Sequence, residues 1–294
     1  MMNEEILEKL IRLESEGKIS KEDRERFEEI LGLKEEDKSI LNKVEISEFK
    51  SENLLISGDA NIKDILLEEG EDLAKIELSG GLTRILPSGT YRNAFHRGFG
   101  YVANIHIRLP QTIKQISIKV VSGDVKVKDI RSHLFISSVS GDVDCRNCKG
   151  SIDINVVSGD VLVEDFDGEV LLATKSGDIH INKSNFSGAL KTYSGDVRLS
   201  KCTCSGITIT TFSGDTSGSV EFEGDSKISS YFGDISLLTN TEKTRISMEA
   251  MIGEVHNNFV DKANDQDKPY SLVLKTRKGD ISINNIKEDA YNGR

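Results

Sequence analysis

The chain of 294 residues contains no tryptophan and only three prolines. Proline removes a backbone donor, so its scarcity suits long, unbroken strand ladders. Cysteine is scarce too, four in all, and no apolar run is long enough to cross a bilayer. The opening Met1-Met2-Asn3-Glu4-Glu5-Ile6 lacks the basic and apolar regions of a secretory leader. These absences lead to the expectation of a cytoplasmic protein with reduced thiols and no integral membrane segment, with non-classical export left open. Positive charge is also in deficit: 38 Lys and Arg against 49 Asp and Glu give a net charge of −11. Neutralising phosphates takes clustered Lys and Arg, so nucleic acid and anionic lipid are not expected partners.

Residues 1–38 have a pattern of their own. Ile6, Leu10 and Leu13 recur at helical spacing, as do Phe27, Ile30 and Leu31. Gly17 between them suits a left-handed helix end, and Ser20 a following N-cap. The pattern predicts a short helical hairpin that buries little alone and so docks elsewhere. Leu10, Leu13, Phe27 and Ile30 are the side chains expected to meet a protein partner. Its 13 acidic against 8 basic residues also describe a plain solvated surface.

The rest of the chain is governed by a repeat. Ser-Gly-Asp begins at Ser122, Ser140, Ser158, Ser176, Ser194 and Ser213. Gly123, Gly141, Gly159, Gly177 and Gly195 stand 18 residues apart; Gly214, Gly233, Gly253 and Gly279 continue at 19, 19, 20 and 26. Apolar residues keep the frame, as with Ile118, Ile136 and Ile154 five before the glycine and Val125, Val143 and Val161 two after it. Alternation with period two on either side of a fixed glycine reads as strand, corner, strand. No unit can bury its own apolar face, so units must stack. Nine units at strand spacing make a rod of roughly 43 Å. The expected fold is mainly β: a single-stranded parallel β-helix, or β-solenoid, of about 18 residues per coil. Its parts are a helical hairpin module over 1–38, an irregular β cap over 39–113, the regular solenoid over 114–287 and a tail over 288–294. Strands in the cap are expected near 44–49, 54–56, 74–78 and 103–109, with Ser57-Gly58-Asp59 outside the regular spacing.

The Ser-Gly-Asp-Val segments, preceded by Ile107-Arg108-Leu109-Pro110, resemble the bacterial "putative adhesin" β-solenoid domain of unknown function, a family with YvlB-like and LiaX-like members. Glu16-Gly17-Lys18-Ile19-Ser20 resembles the short helical module that precedes it. The resemblance spans nearly the whole chain and brings no catalytic residues with it. It implies a right-handed β-helix and an association with cell-envelope stress responses.

Several features could carry chemistry. Asp124, Asp142, Asp160, Asp178, Asp196, Asp215, Asp234 and Asp280 would stack as a ladder. Carboxylates at about 4.8 Å repel by about 1 kcal/mol even in water, so something must offset them. Either turn N–H groups and hydroxyls do so, or the ladder binds cations. Cys145-x-x-Cys148 and Cys202-x-Cys204 suggest zinc in isolation. The frame instead puts Cys145, Cys148 and Cys202 at inward positions, with Cys148 and Cys202 three coils apart. No metal site or cofactor is therefore expected. His96, His106, His133, His180 and His256 are scattered, and no Ser-His-Asp set is readable. Tyr91, Arg92, Phe95, Arg97 and Phe99, followed by Arg108, interleave rings and cations. They form either a binding loop for an acidic or ring-bearing partner or an end seal. The expected function is a non-enzymatic binding or scaffold protein. The alternative is a carbohydrate- or envelope-facing adhesin or a polysaccharide-active β-helix enzyme.

Overall fold

The computed structural model describes residues 43–49, 53–70, 73–79, 82–88, 104–239, 244–258 and 268–285. The helical hairpin expected over 1–38 lies outside them, and no helix occurs among the described residues. The chain is mainly β. Its irregular part holds β1 (Lys43–Phe49), β2 (Asn53–Asp59), β3 (Leu66–Glu69), β4 (Ala74–Ser79), β5 (Leu82–Pro87) and β6 (Asn104–Pro110). The repeat begins with β7 (Gln115–Val120), β8 (Val125–Lys128), β9 (Arg131–Ser140) and β10 (Val143–Arg146). It continues with β11 (Lys149–Ser158), β12 (Val161–Glu164), β13 (Asp167–Ser176), β14 (Ile179–Asn182), β15 (Asn185–Ser194) and β16 (Val197–Ser213). It ends with β17 (Thr216–Phe222), β18 (Ser226–Phe232), β19 (Ile235–Thr239), β20 (Thr244–Ile252), β21 (Val255–Asn257), β22 (Tyr270–Lys278) and β23 (Ile281–Asn285).

Each repeat supplies one short and one long strand, and each pairs in parallel with its equivalent one coil away. Val143 lies between Val125 and Val161, and Ile154 between Ile136 and Leu172. Identical register follows from the 18-residue period, because a slip by one residue would turn the apolar set outward. The inward columns are buried without exception through the middle of the stack, for example Ile136, Ile154, Leu172, Leu190 and Ile209. This is the parallel, stacked architecture of a β-solenoid.

Two corners close each coil. At the first, the glycine lies against the backbone above it. A Cβ on Gly159, at φ +144°, would sit 2.3 Å from the Gly141 carbonyl oxygen, so no side chain fits. The second corner is left-handed at Asp129, Asn147, Asp165, Lys183 and Lys201, with φ between 48° and 58°. Asp and Asn tolerate this region; the two lysines pay a steric cost there.

The stacking order departs from the chain order at both ends. β1 pairs with β7 and β2 with β8, so β1 and β2 stack as a coil inside the stack rather than as part of a cap. β5 and β6 lie outside that coil, flanked by β4 and β3, which run antiparallel to them. The sequence does not predict β3 or β5: β3 has only four residues, and β5 places Thr83 inward and Leu82 and Leu86 on the other face, so its residue types do not alternate. At the other end β18 pairs with β22, which in turn pairs with β20. The glycine column therefore runs Gly233, Gly279, Gly253, against sequence order. The 26-residue interval lets the chain place the outermost coil first and then return beneath it. In that outermost coil the expected inward positions are not fully covered. Ile246 and Met248 are half-buried, and Val255 is exposed at 43%.

Candidate functional site

The Asp ladder is a hydrogen-bond chain. Oδ1 of each Asp accepts the N–H of the Asp one coil further on, at 3.1 Å for Asp124 to Asp142 and 2.8–2.9 Å from Asp142 through Asp160, Asp178, Asp196, Asp215, Asp234 and Asp280. Asp280 passes the pattern to Glu254 N–H at 2.8 Å. Asn53 begins it, accepting from Asp124 N–H at 3.0 Å. The upstream Ser57-Gly58-Asp59 stays outside, with Gly58 packed against the Asp129 carbonyl. Each carboxylate thus satisfies a corner donor that the turn leaves unpaired. Arg198 bridges Asp178 and Asp196 at 2.9 and 2.7 Å. Burial raises the Asp178 carboxyl, but the Asp196 N–H, Arg198 and His180 outweigh it and hold it below the usual carboxylate range. A hollow of about 360 Å³ beside Asp124, Asp142 and Asp160 also holds Lys126 and His180. No group of three His, Cys, Asp or Glu able to hold a metal ion occurs among the described residues.

All four cysteines are buried and free. Cys148 and Cys202 share one column, separated by Phe166 and Ser184. Cys204 packs between Phe186 and Phe222 in the next inward column. Burial raises every thiol, Cys148 to about 11 despite backbone contacts that lower it. Neutral thiols in a dry core are packing groups and poor ligands or nucleophiles.

Of the predicted aromatic and basic loop, Tyr91, Arg92, Phe95, Arg97 and Phe99 fall outside the described residues. Arg108 is described, and it is not a free cation. Its guanidinium engages both Asp59 and Glu68. Glu68 also lies 3.0 Å from His106 Nδ1, and His106 Nε2 lies 2.9 Å from Ser57 Oγ. Five strand positions from β2, β3 and β6 therefore assemble a hydroxyl, an imidazole, two carboxylates and a cation. His106 is no isolated surface histidine. Nothing in the spacing could have revealed this set, because its members lie 11 and 38 residues apart on irregular strands.

The order of contacts, Ser57 to His106 to Glu68, matches that of a nucleophilic triad. Acyl transfer also needs donors aimed at a developing oxyanion. Ser57 sits within a strand paired on both sides, opposite Arg108 and Lys128, so its backbone is taken by the ladders. Arg108 is neutralised by two carboxylates. Among the described residues the set supplies no oxyanion site, and its evident work is to tie β3 onto the outermost coil.

A second surface feature runs the length of the stack. Two residues before each corner glycine, the side chain points outward and is apolar in most coils: Val121, Val139, Val157, Tyr193, Phe212 and Met251, exposed by 38–73%. The Tyr193 and Phe212 rings stack at 4.6 Å, and Phe212 and Tyr231 at 5.0 Å. Arg277, from the following coil, lies 4.5 Å over Tyr231. A shallow groove of about 540 Å³ follows this stripe past Val139, Asn155, Val157, Lys175, Tyr193 and Phe212. The repeat frame contained the signal, since every member has the same offset from its glycine. It is masked because these apolar side chains occupy an outward position of the alternation, where polar ones are expected.

A parallel solenoid with a non-polar outer stripe offers an extended surface of the kind that binding proteins use. The chain is a member of the Toastrack DUF4097 family, whose model matches residues 41–284. Among solved structures it is similar to one described as a "putative cell adhesion protein" from Clostridium sporogenes. That match has 13% identity and a TM-score of 0.18, and covers 83% of this chain and 92% of the other. No curated protein matches.

Proposed function

We propose that this protein is a non-enzymatic scaffold that presents the outer face of its long strands to an extended, largely apolar partner surface. The observation behind it is the exposed stripe from Val121 to Met251, which stacks in one column across the solenoid. Lys175 and Arg277 interrupt the column, and exposed apolar patches such as those on either side of them mark an interaction surface on a folded domain. The aromatic members favour a protein partner over a sugar. Phe212 has Tyr193 on one side and Tyr231 on the other, and Tyr231 lies between Phe212 and Arg277. Ring faces committed to one another are not open platforms for a sugar ring.

In this reading the coils wind right-handed and the protein works in the cytoplasm. The 1–38 module recruits a protein partner as a helical hairpin, and the family resemblance links the role to cell-envelope stress. The Asp ladder serves the corners and needs no cation. The test is affinity capture from native cells with three forms: the full chain, a chain lacking 1–38, and a Tyr193→Ser/Phe212→Ser/Tyr231→Ser variant. The stripe variant should lose a partner that a Lys126→Glu control on the opposite, short-strand face retains. Unchanged capture by the stripe variant would overturn the assignment. Fractionation that places the protein outside the membrane would overturn the cytoplasmic location.

A further inference from the structure

The two ends of the stack are finished differently. The N-terminal end carries β3 and β4, short antiparallel strands that expose Glu68, Glu69, Lys75 and Glu77 alongside Leu66, Ile76 and Leu78. Short charged strands are how sheets blunt an edge. At the C-terminal end, β20 pairs only with β22 and β21 only with β23 among the described residues. β20 is nine residues long, with Met251 and Ile252 exposed at 73% and 61% and its inward Ile246 and Met248 half-buried. In the central coils the equivalents of Met248, from Ile136 to Ile228, are buried, whereas the equivalents of Met251 and Ile252 face outward as they do here.

The free edge also has a direction. His133 N–H, at the same place in its coil as Arg245, bonds back to the preceding coil at Lys114. By strand alternation the backbone groups of Ile246 and Met248 then point off the end. Among the described residues no strand pairs with these ladder positions, which are of the kind that another strand completes.

The sequence of β20 is self-complementary in one antiparallel register. With Ser247 opposite its own copy, outward Arg245 faces Glu249 of the partner subunit, and outward Glu249 faces the partner's Arg245. Inward Ile246 faces the partner's Met248, which continues the core across the junction. Moving the centre to Met248 would set Arg245 opposite Met251 and Glu249 opposite Ser247, leaving Glu249 only its ion pair with Lys275 of its own chain, and moving it by half a step would set inward side chains against outward ones. Such a contact is isologous and closes after two copies.

We propose that the C-terminal end of the solenoid is a homodimer interface, with β20 pairing antiparallel to β20 of a second copy about a two-fold axis at Ser247. The charged pairs fix the register, and the half-buried Ile246 and Met248 supply the apolar contact.

The test uses the full chain and measures mass by light scattering at tens of micromolar. The wild type should be a dimer. Arg245→Glu and Glu249→Arg should each be monomeric, and the double reversal should restore the dimer. Both positions are on the surface, as is Ser247, and circular dichroism would report any loss of fold. In Ser247→Cys, the two thiols would face each other at a non-hydrogen-bonded site. There Cα atoms are about 4.5 Å apart, within the roughly 4.4–6.8 Å of a disulfide. Mild oxidation should cross-link it, and the four buried native cysteines should not interfere. A monomeric wild type, a dimer indifferent to the charge reversals, or a Ser247→Cys chain that does not cross-link would each overturn the interface.

Discussion

The ends of the stack are built from the same kind of strand but solve different problems. At the N-terminal end the chain turns back on itself, so that antiparallel β3 and β4 cover the outermost coil. Arg108, Asp59, Glu68, His106 and Ser57 then pin the cover in place. At the C-terminal end the chain crosses over, lays down β20 and β21, and returns beneath them, so that among the described residues the outermost strand is a long one with no further strand on it. A stack of identical coils has no natural end. Finishing it takes either local sequence unlike the repeat or another chain.

Four measurements would break or sharpen this contrast. The largest effect is expected inside the stack. Ile154→Ala, buried with coils on both sides, should cost about 2–5 kcal/mol in denaturant unfolding. Ile246→Ala in the outer coil, in dilute protein, should cost under about 1.5 kcal/mol, because much of its side chain is already wet. Equal costs would mean that the outer coil is covered after all.

Next is the N-terminal fastening. Arg108→Ala leaves Asp59 and Glu68 facing each other without their cation. It should destabilise by about 1–2 kcal/mol and increase hydrogen exchange in β3 before the middle coils. Unchanged exchange there would remove the fastening role.

Smaller is the titration of the ladder. The Asp178 carboxyl is held low in the folded state, so its contribution is complete above its ordinary value, near pH 4. That contribution is lost as pH falls through the lower folded-state value. Asp178→Asn should lower the unfolding free energy at pH 7 by up to about 1 kcal/mol, and by less as the pH approaches 3, as read from denaturant unfolding. A difference that grows with acidity would contradict the sign.

The smallest expected effect is none. A fluorophosphonate probe should leave Ser57 unlabelled in the native protein, because the hydroxyl and imidazole lack an oxyanion site. Labelling that disappears in His106→Ala would make the N-terminal cluster a reactive centre and remove the non-enzymatic reading.

The repeat made most of the fold legible. The glycine spacing and the inward columns place Val125, Val143 and Val161 above one another, and the structure keeps that register. The same frame put Cys145, Cys148 and Cys202 in the core. It could not show the Ser57, His106 and Glu68 grouping, which depends on which irregular strands meet. It also could not show the reversed order of the Gly253 and Gly279 coils. Either order satisfies the same columns, since equivalent coils present the same faces to a neighbour.

What the sequence alone determined is therefore periodic: the length of a coil, which side chains point inward, and where glycine must sit so that one backbone can lie on the next. Each is a local demand repeated every 18 or 19 residues, and so each is visible in the spacing. Tertiary structure alone decided how the stack begins and ends. Those contacts join residues such as Asn53 and Asp124, 71 positions apart, and Asp234 and Asp280, 46 apart. No local preference selects such pairs. They are fixed by which edge the returning chain can reach and cover.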